Sequence, residues 1–238
     1  MFHVKQISIN GLKTNKLWKM AKVFSSSVFT VEQQLKPNES NGKRYHQRKR
    51  KQQKNKQIKP QEMNNEKLLE NLRCIPDFPQ KGVNFRDVTT LFKDPECLKI
   101  MVDELYELYK DKGITKIVGI ESRGFVLSSA LALKLNAGVV LCRKPGKLPA
   151  ETIQESYSKE YGKDTIEIHK DAITEDDVVL LHDDLLATGG TMRAAYNLVK
   201  KFNPKNIYVN FIIELVHENL NGRANFEEGT DITSLLKV

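Results

Sequence analysis

The sequence predicts an α/β fold, a doubly wound and mainly parallel sheet flanked by helices. Two observations carry that class. Four short apolar runs, KIVGI (116–120), GVVLC (138–142), DVVLLH (177–182) and IYVNFII (207–213), lack alternation and end at polar or glycine positions, the pattern of strands buried on both faces. The stretches between them leave room for helices over 125–136 and 191–202, the crossovers that parallel neighbours require.

Residues 1 to 62 precede this pattern and differ from it in charge. They hold 15 Lys and Arg against 3 acidic residues, which leaves 23 against 27 for residues 63 to 238, so the net charge of +8 is +12 on the extension and −4 on the remainder. A basic balance suggests a polyanionic partner, but here that inference applies to the extension alone. Between Lys36 and Glu62 the apolar residues are Tyr45 and Ile58, too few to offset the entropy of ordering, so disorder is expected. Residues 1 to 31 carry five Lys and no acid among scattered apolar positions. Three readings of the extension stay open. One is a transit peptide, although such peptides favour Arg and the first Arg is Arg44. Another is nucleic-acid contact or nuclear import through KRYHQRKRKQQKNK. The third, which is preferred, is a leader upstream of a translation start at Met63, where the globular pattern begins.

From Met63 onward, Asn65 is expected to cap a first helix through Leu72, ended by the turn-rich IPDFPQKG. Asp94-Pro95 then sets a cap and an N1 proline ahead of apolar residues at helical spacing, Leu98, Met101, Val102, Leu105, Leu108 and Tyr109, up to Gly113. The four apolar runs follow. Between the second and third, Lys144 to Gly162 is polar and punctuated by Gly and Pro, which reads as a lid or else as a wrongly assigned element, followed by the alternating TIEIH at 165–169.

Function classes narrow quickly. No apolar run exceeds four residues, short of the roughly 20 needed to span a membrane or the 7 to 15 of a signal peptide. Cys74, Cys97 and Cys142 are odd in number and show no CxxC spacing, which implies neither a disulfide framework nor a thiolate zinc site and fits a reducing cytoplasm.

The chemistry concentrates in VVLLHDDLLATGGTM, residues 178–192. A buried strand runs into two carboxylates, Asp183 and Asp184, and then a small-residue turn opens a helix. Ligands of doubly wound sheets bind at the carboxyl ends of strands. Ala187, Thr188, Gly189, Gly190 and Thr191 lack bulk, so their backbone N–H groups can face an anion at the positive end of the next helix, with two hydroxyls as further donors. That is a phosphate cradle, distinct from both GxGxxG and the Walker loop. The aspartates ahead of it are suited to accept from a vicinal diol on the same ligand.

DDLLATGGT resembles the 5-phosphoribosyl 1-pyrophosphate motif of type I phosphoribosyltransferases. IPDFPQKGVNFRDVTTLFKDP, GIESRGF, RKPGKLP and ESYSKEYG, in that order over about residues 64 to 238, resemble the adenine-specific members of the family. The resemblance implies a flexible lid over the family's fold and transfer of the phosphoribosyl group to adenine, giving AMP and pyrophosphate. It implies Mg²⁺ carried mainly by the substrate rather than by metal ligands of the chain. Arg123 and the turn ESRG are implied to hold pyrophosphate, where the family often has a cis peptide, here Glu121-Ser122. Arg143, Lys144 and Lys147 are implied to stand beside the same leaving group, and Glu160 and Tyr161 to close over the reacting bond. The base is implied to meet Arg86, the backbone at Asn84 and the side chain of Leu215, with Asn84 standing where most relatives are apolar; Phe85 and Phe125 read as packing residues. A homodimer is implied by analogy. The alternatives are a phosphoribosyltransferase for another purine, and a non-catalytic regulator on the same fold that senses the phosphoribosyl donor.

Overall fold

The computed structural model describes residues 60–158, 162–216 and 220–238, so the expectations for residues 1 to 59 lie outside the described residues. Helix α1 (Pro60–Asn71) leads into a small antiparallel pair, β1 (Arg73–Ile75) and β2 (Phe85–Asp87), joined by the turn-rich segment. Asn65 lies inside α1 rather than at its cap, because the helix begins five residues earlier, at Pro60. Helices α2 (Thr89–Lys93) and α3 (Pro95–Tyr109) follow. The expected cap of α3 is present: Asp94 accepts from the backbone N–H of Glu96 at 3.0 Å and of Cys97 at 2.8 Å, which satisfies two of the free donors at a helix start.

The central sheet comprises β3 (Lys116–Ile120), β4 (Gly138–Cys142), β7 (Val178–Leu186), β8 (Asn206–Glu214) and β9 (Ile232–Lys237). Its strand order is β4-β3-β7-β8-β9, every pair parallel. Helix α4 (Gly124–Leu135) connects β3 to β4, and α5 (Gly190–Lys200) connects β7 to β8. Alternate strand residues feed two cores. Ile117, Leu180 and Ile212 pack with Leu105, Leu127 and Leu131 of α3 and α4. On the other face Val118, Leu181 and Phe211 pack with Ala195 and Leu198 of α5 and with Ile166 and Ile168. Both faces are therefore covered, which is why these strands read as unbroken apolar runs.

Three expectations change. The stretch read as a structureless lid contains β5 (Thr152–Ser158), paired antiparallel with β6 (Lys163–His169) from Thr152↔His169 to Ser158↔Lys163. Ile153, Glu155 and Tyr157 are half-buried and Gln154 and Ser156 exposed, so a two-residue period is present but hidden by polar composition. Strand β7 runs on through Leu186, which places Asp183 and Asp184 within the strand rather than beyond it. A fifth sheet strand, β9, was not expected from the sequence.

Candidate active site

The loop from β7 to α5 is shaped as an anion cradle. Gly189 caps α5 with φ of 78°, and a Cβ there would stand 2.6 Å from the carbonyl oxygen of Gly222, so both the backbone angle and the space demand glycine. The loop is braced from behind by the 3-10 turn Gly222–Asn225, whose Asn225 Nδ2 donates to the Thr188 carbonyl at 2.5 Å. With Asp183, residues 187–191 line a cavity of about 110 Å³.

The two aspartates have different surroundings. Asp184 is 3% exposed and accepts from Arg123 Nε at 2.5 Å. Asp183 accepts from the Asp184 backbone N–H at 2.9 Å, and burial, reinforced by the neighbouring Asp184 charge, pushes its pKa well above the ordinary carboxylate range. The strand that carries them is tied from below. His182, fully buried, donates from Nδ1 to Asn210 Oδ1 at 2.8 Å; Asn210 Nδ2 donates to Thr233 Oγ1 at 2.8 Å, and that hydroxyl meets the Tyr109 hydroxyl at 2.5 Å. One polar chain thus pins β7 to β8, β9 and α3.

The loop after β3 brings ESRG to the same place. Its Glu121-Ser122 peptide is cis, as the resemblance implied. Gly124 opens α4 where a Cβ would lie 2.7 Å from the His182 carbonyl oxygen and 3.3 Å from Asp183 Oδ1, so the helix start packs directly on the strand bearing the aspartates. Arg123 reaches from this helix start to Asp184 on one side, and its guanidinium lies 6.0 Å from the Phe85 ring on the other. Phe85 meets Phe78 edge-on at 5.2 Å. The FRD segment is thereby joined to the phosphate end. Beside Phe85, Arg86 has a buried Nε with no hydrogen-bond partner among the described residues, while Asn84 is exposed.

Arg143, Lys144 and Lys147 do cluster, but around a residue that sequence reasoning missed. Glu121 accepts from Arg143 Nη2 at 3.2 Å, Lys147 Nζ at 2.6 Å and the Lys144 backbone N–H at 3.1 Å. Burial raises the Glu121 pKa, but the donors from Lys147, Arg143 and Lys144 outweigh it and hold it at about 2. Lys144 Nζ instead meets Asp164 at 2.5 Å.

From the hairpin, the Tyr157 hydroxyl donates to Asp164 at 3.3 Å and accepts from Thr191 Oγ1 at 3.0 Å. The ribbon is thus latched onto the cradle. Tyr157 and Asp164 were also not singled out from sequence. Glu160 and Tyr161 lie outside the described residues. Leu215 is 9% exposed and packs in the core with Ile213 and Leu236; its N–H donates to the Leu186 carbonyl at 3.0 Å. Phe125 borders Gly119 as a packing residue.

Known proteins resemble this chain in sequence and in fold. The phosphoribosyl transferase domain family matches residues 87–231. The chain is 65% identical over 178 residues to the adenine phosphoribosyltransferase of Bacteroides fragilis, covering 74% of this chain and 99% of that protein. To the adenine phosphoribosyltransferase of Phocaeicola vulgatus it is 64% identical over 176 residues, covering 74% of this chain and 100% of that protein. Among solved structures, adenine phosphoribosyltransferase from Rhodothermus marinus matches with a TM-score of 0.69 and 44% identity, over 74% of this chain and 99% of that one. The Saccharomyces cerevisiae adenine phosphoribosyltransferase, complexed with an imino-altritol bisphosphate and adenine, matches with a TM-score of 0.68 and 37% identity, over 73% and 99%. The chain belongs to the phosphoribosyltransferase family and, within it, to the adenine phosphoribosyltransferases.

Proposed function

We propose, with that membership as the premise, that the chain transfers the 5-phosphoribosyl group of 5-phosphoribosyl 1-pyrophosphate to N9 of adenine, giving AMP and pyrophosphate. The observation that carries the reading is Arg123, which spans from the aspartate pair beside the cradle to the Phe85 ring beside Arg86, and so joins a phosphate end to a base end. The 5′-phosphate sits on the backbone N–H groups of residues 187–191, at the positive end of α5. Asp183 and Asp184 accept from the ribose diol. N9 attacks C1′, the bond to pyrophosphate breaks with inversion, and the positive charge that develops on the ribose ring lies near the two carboxylates. Arg123, Arg143, Lys144 and Lys147 take the leaving anion, and Arg86, whose Nε has no partner among the described residues, donates to adenine. The backbone at Asn84 meets the exocyclic amine and Leu215 packs on the ring. The hairpin, carrying Glu160 and Tyr161, closes over the reacting bond to exclude water, and Glu160 assists proton movement at the purine.

Among the described residues no group of three or more His, Cys, Asp or Glu is placed to hold a metal ion. Mg²⁺ commonly takes one or two carboxylates together with substrate phosphates. Carried mainly by the substrate's oxygens, the ion would meet the Asp183 and Asp184 carboxylates, a donor set of that kind. Bound there, Mg²⁺ would neutralise charge on the pyrophosphate.

The same reading includes a homodimer and a cytoplasmic site. Helix α4, GFVLSSALALKL, leaves Val126 at 43% and Leu133 at 87% exposure, and the edge strand β4 leaves Val139 and Leu141 at 40% each; apolar exposure of this kind on an edge and its adjoining helix marks a surface for a partner. Leu133→Glu is expected to yield monomer by sedimentation. Three free thiols, Cys97 and Cys142 buried, suit a reducing compartment. No helix among the described residues is long and apolar enough to cross a membrane. The basic charge of the chain is concentrated in residues 1 to 62, and a protein begun at Met63, which lacks the first residues of α1, is expected to retain activity.

Pyrophosphate release measured with the phosphoribosyl donor, Mg²⁺ and each nucleobase in turn tests the reading. Turnover with adenine alone is expected; turnover only with another base, or none, contradicts it.

A further inference from the structure

We propose that Glu121 is a resident counter-anion of the pyrophosphate subsite, holding in the ligand-free chain the donors that the leaving pyrophosphate takes, and re-entering among them as it departs. This rests on reading Arg143, Lys144 and Lys147 as pyrophosphate ligands and goes beyond it by giving a role to the carboxylate they already hold. The three donors that converge on Glu121 are an ammonium, a guanidinium N–H and a backbone N–H, the set that a phosphoryl group would meet. The Glu121 side chain is 14% exposed, whereas those of Arg143 and Lys147 are 29% and 48% exposed. The carboxylate therefore lies beneath cations that remain open to an anion arriving from solvent. Its stem is fixed on the same strand ends: the Glu121 N–H donates to the Cys142 carbonyl at 2.9 Å, one residue before Arg143.

Charge decides the exchange. Pyrophosphate brings several negative charges and more acceptor oxygens than one carboxylate, so it wins the donors when it is present. Without a competing anion the same cations would bind the product as firmly as the donor, and binding strengthened alike in every bound state lowers KM without raising kcat. A carboxylate that returns to Arg143 and Lys147 weakens the product complex and speeds release, a step that limits many enzymes.

The test titrates inorganic pyrophosphate into the full-length protein by calorimetry, for the wild type, Glu121→Gln and Lys147→Ala, alongside steady-state kinetics. Glu121→Gln is expected to bind pyrophosphate about tenfold more tightly, the scale of one charge-assisted hydrogen bond, with a lower KM for the donor and a lower kcat. Lys147→Ala is expected to bind it about tenfold more weakly by the same measure. If Lys147→Ala weakens binding while Glu121→Gln leaves it unchanged or weaker, Glu121 is only a scaffold for the cations and the proposal falls. If Lys147→Ala binds as the wild type does, the subsite reading fails and takes the proposal with it. Should Glu121→Gln not fold, Glu121→Asp keeps the charge but shortens its reach; tighter pyrophosphate binding supports the proposal, and unchanged or weaker binding overturns it.

Discussion

The loop at 187–191 and the cluster around Glu121 are both built to meet phosphate, yet they are held in opposite ways. The loop is backbone, fixed by a left-handed Gly189, by the Gly222 carbonyl pressed against it and by Asn225 on the Thr188 carbonyl. Among the described contacts there, the Thr191 hydroxyl on Tyr157 is the one donor with a side-chain partner to leave before an anion binds. The cluster is built mostly of side chains, with Arg143, Lys147 and the Lys144 N–H already on Glu121 and the Lys144 ammonium on Asp164. An anion there must replace existing partners. A group that stays with the nucleotide suits the preformed cradle, whereas a group that departs suits a site whose donors have somewhere else to go. Binding energy in the two halves therefore does different work: orientation in one, and capture with release in the other.

The largest expected effect lies where the halves meet. Asp184→Asn removes the charge beside the ribose and leaves Arg123 without its carboxylate; kcat/KM is expected to fall by about 10²-fold, roughly 2.7 kcal/mol. An unchanged kcat/KM would remove Asp184 from the site. Next comes the base end, where Arg86→Ala is expected to raise the KM for adenine by about 1.5 to 3 kcal/mol's worth of affinity, the scale of a hydrogen bond from a charged group, with the KM for the phosphoribosyl donor unaltered. Retained adenine affinity would place base recognition elsewhere.

The remaining two predictions separate backbone from side-chain construction. Gly189→Ala forces a Cβ toward the Gly222 carbonyl in a left-handed conformation; a loss of about 1 to 3 kcal/mol is expected, seen as a fall in Tm of about 2 to 4 °C per kcal/mol for a protein of this size. An unshifted Tm would mean that the loop yields to the added methyl group and is not fixed by the Gly222 carbonyl. Around Glu121 the signature is pH. Its folded pKa of about 2 lies below the ordinary 4.5, so its contribution is complete above pH 4.5 and fades as pH falls toward 2. Solvent at the half-exposed lysine reduces that contribution to about 1 kcal/mol. The Tm difference between the wild type and Glu121→Gln should therefore be present at pH 6 and shrink at pH 3; a gap independent of pH would contradict it.

The same contrast explains what could be read from the sequence. The cradle was legible because its parts are consecutive: strand, carboxylates, small residues and helix follow one another in 178–192, and the chemistry needs only backbone and order. The four parallel strands were legible because burial on both faces leaves unbroken apolar runs. Glu121 was not, since a glutamate before SRG looks like any turn residue and its partners stand at positions 143, 144 and 147. Tyr157 and Asp164 belong to a ribbon whose polar composition hid its pairing, and their contacts to Thr191 and Lys144 cross 34 and 20 residues. Strand β9, with ITSLLK on the sheet's edge, is only partly buried and shows no clean period. The buried chain from His182 to Tyr109 spans three strands and a helix, which no local pattern encodes.

The most direct measurement is a crystal structure of the protein soaked with 5-phosphoribosyl 1-pyrophosphate. The 5′-phosphate is expected on the backbone N–H groups of residues 187–191, the ribose hydroxyls at Asp183 and Asp184, and the pyrophosphate among Arg123, Arg143 and Lys147, with Glu121 displaced. A donor bound with its 5′-phosphate away from that loop would contradict this expectation.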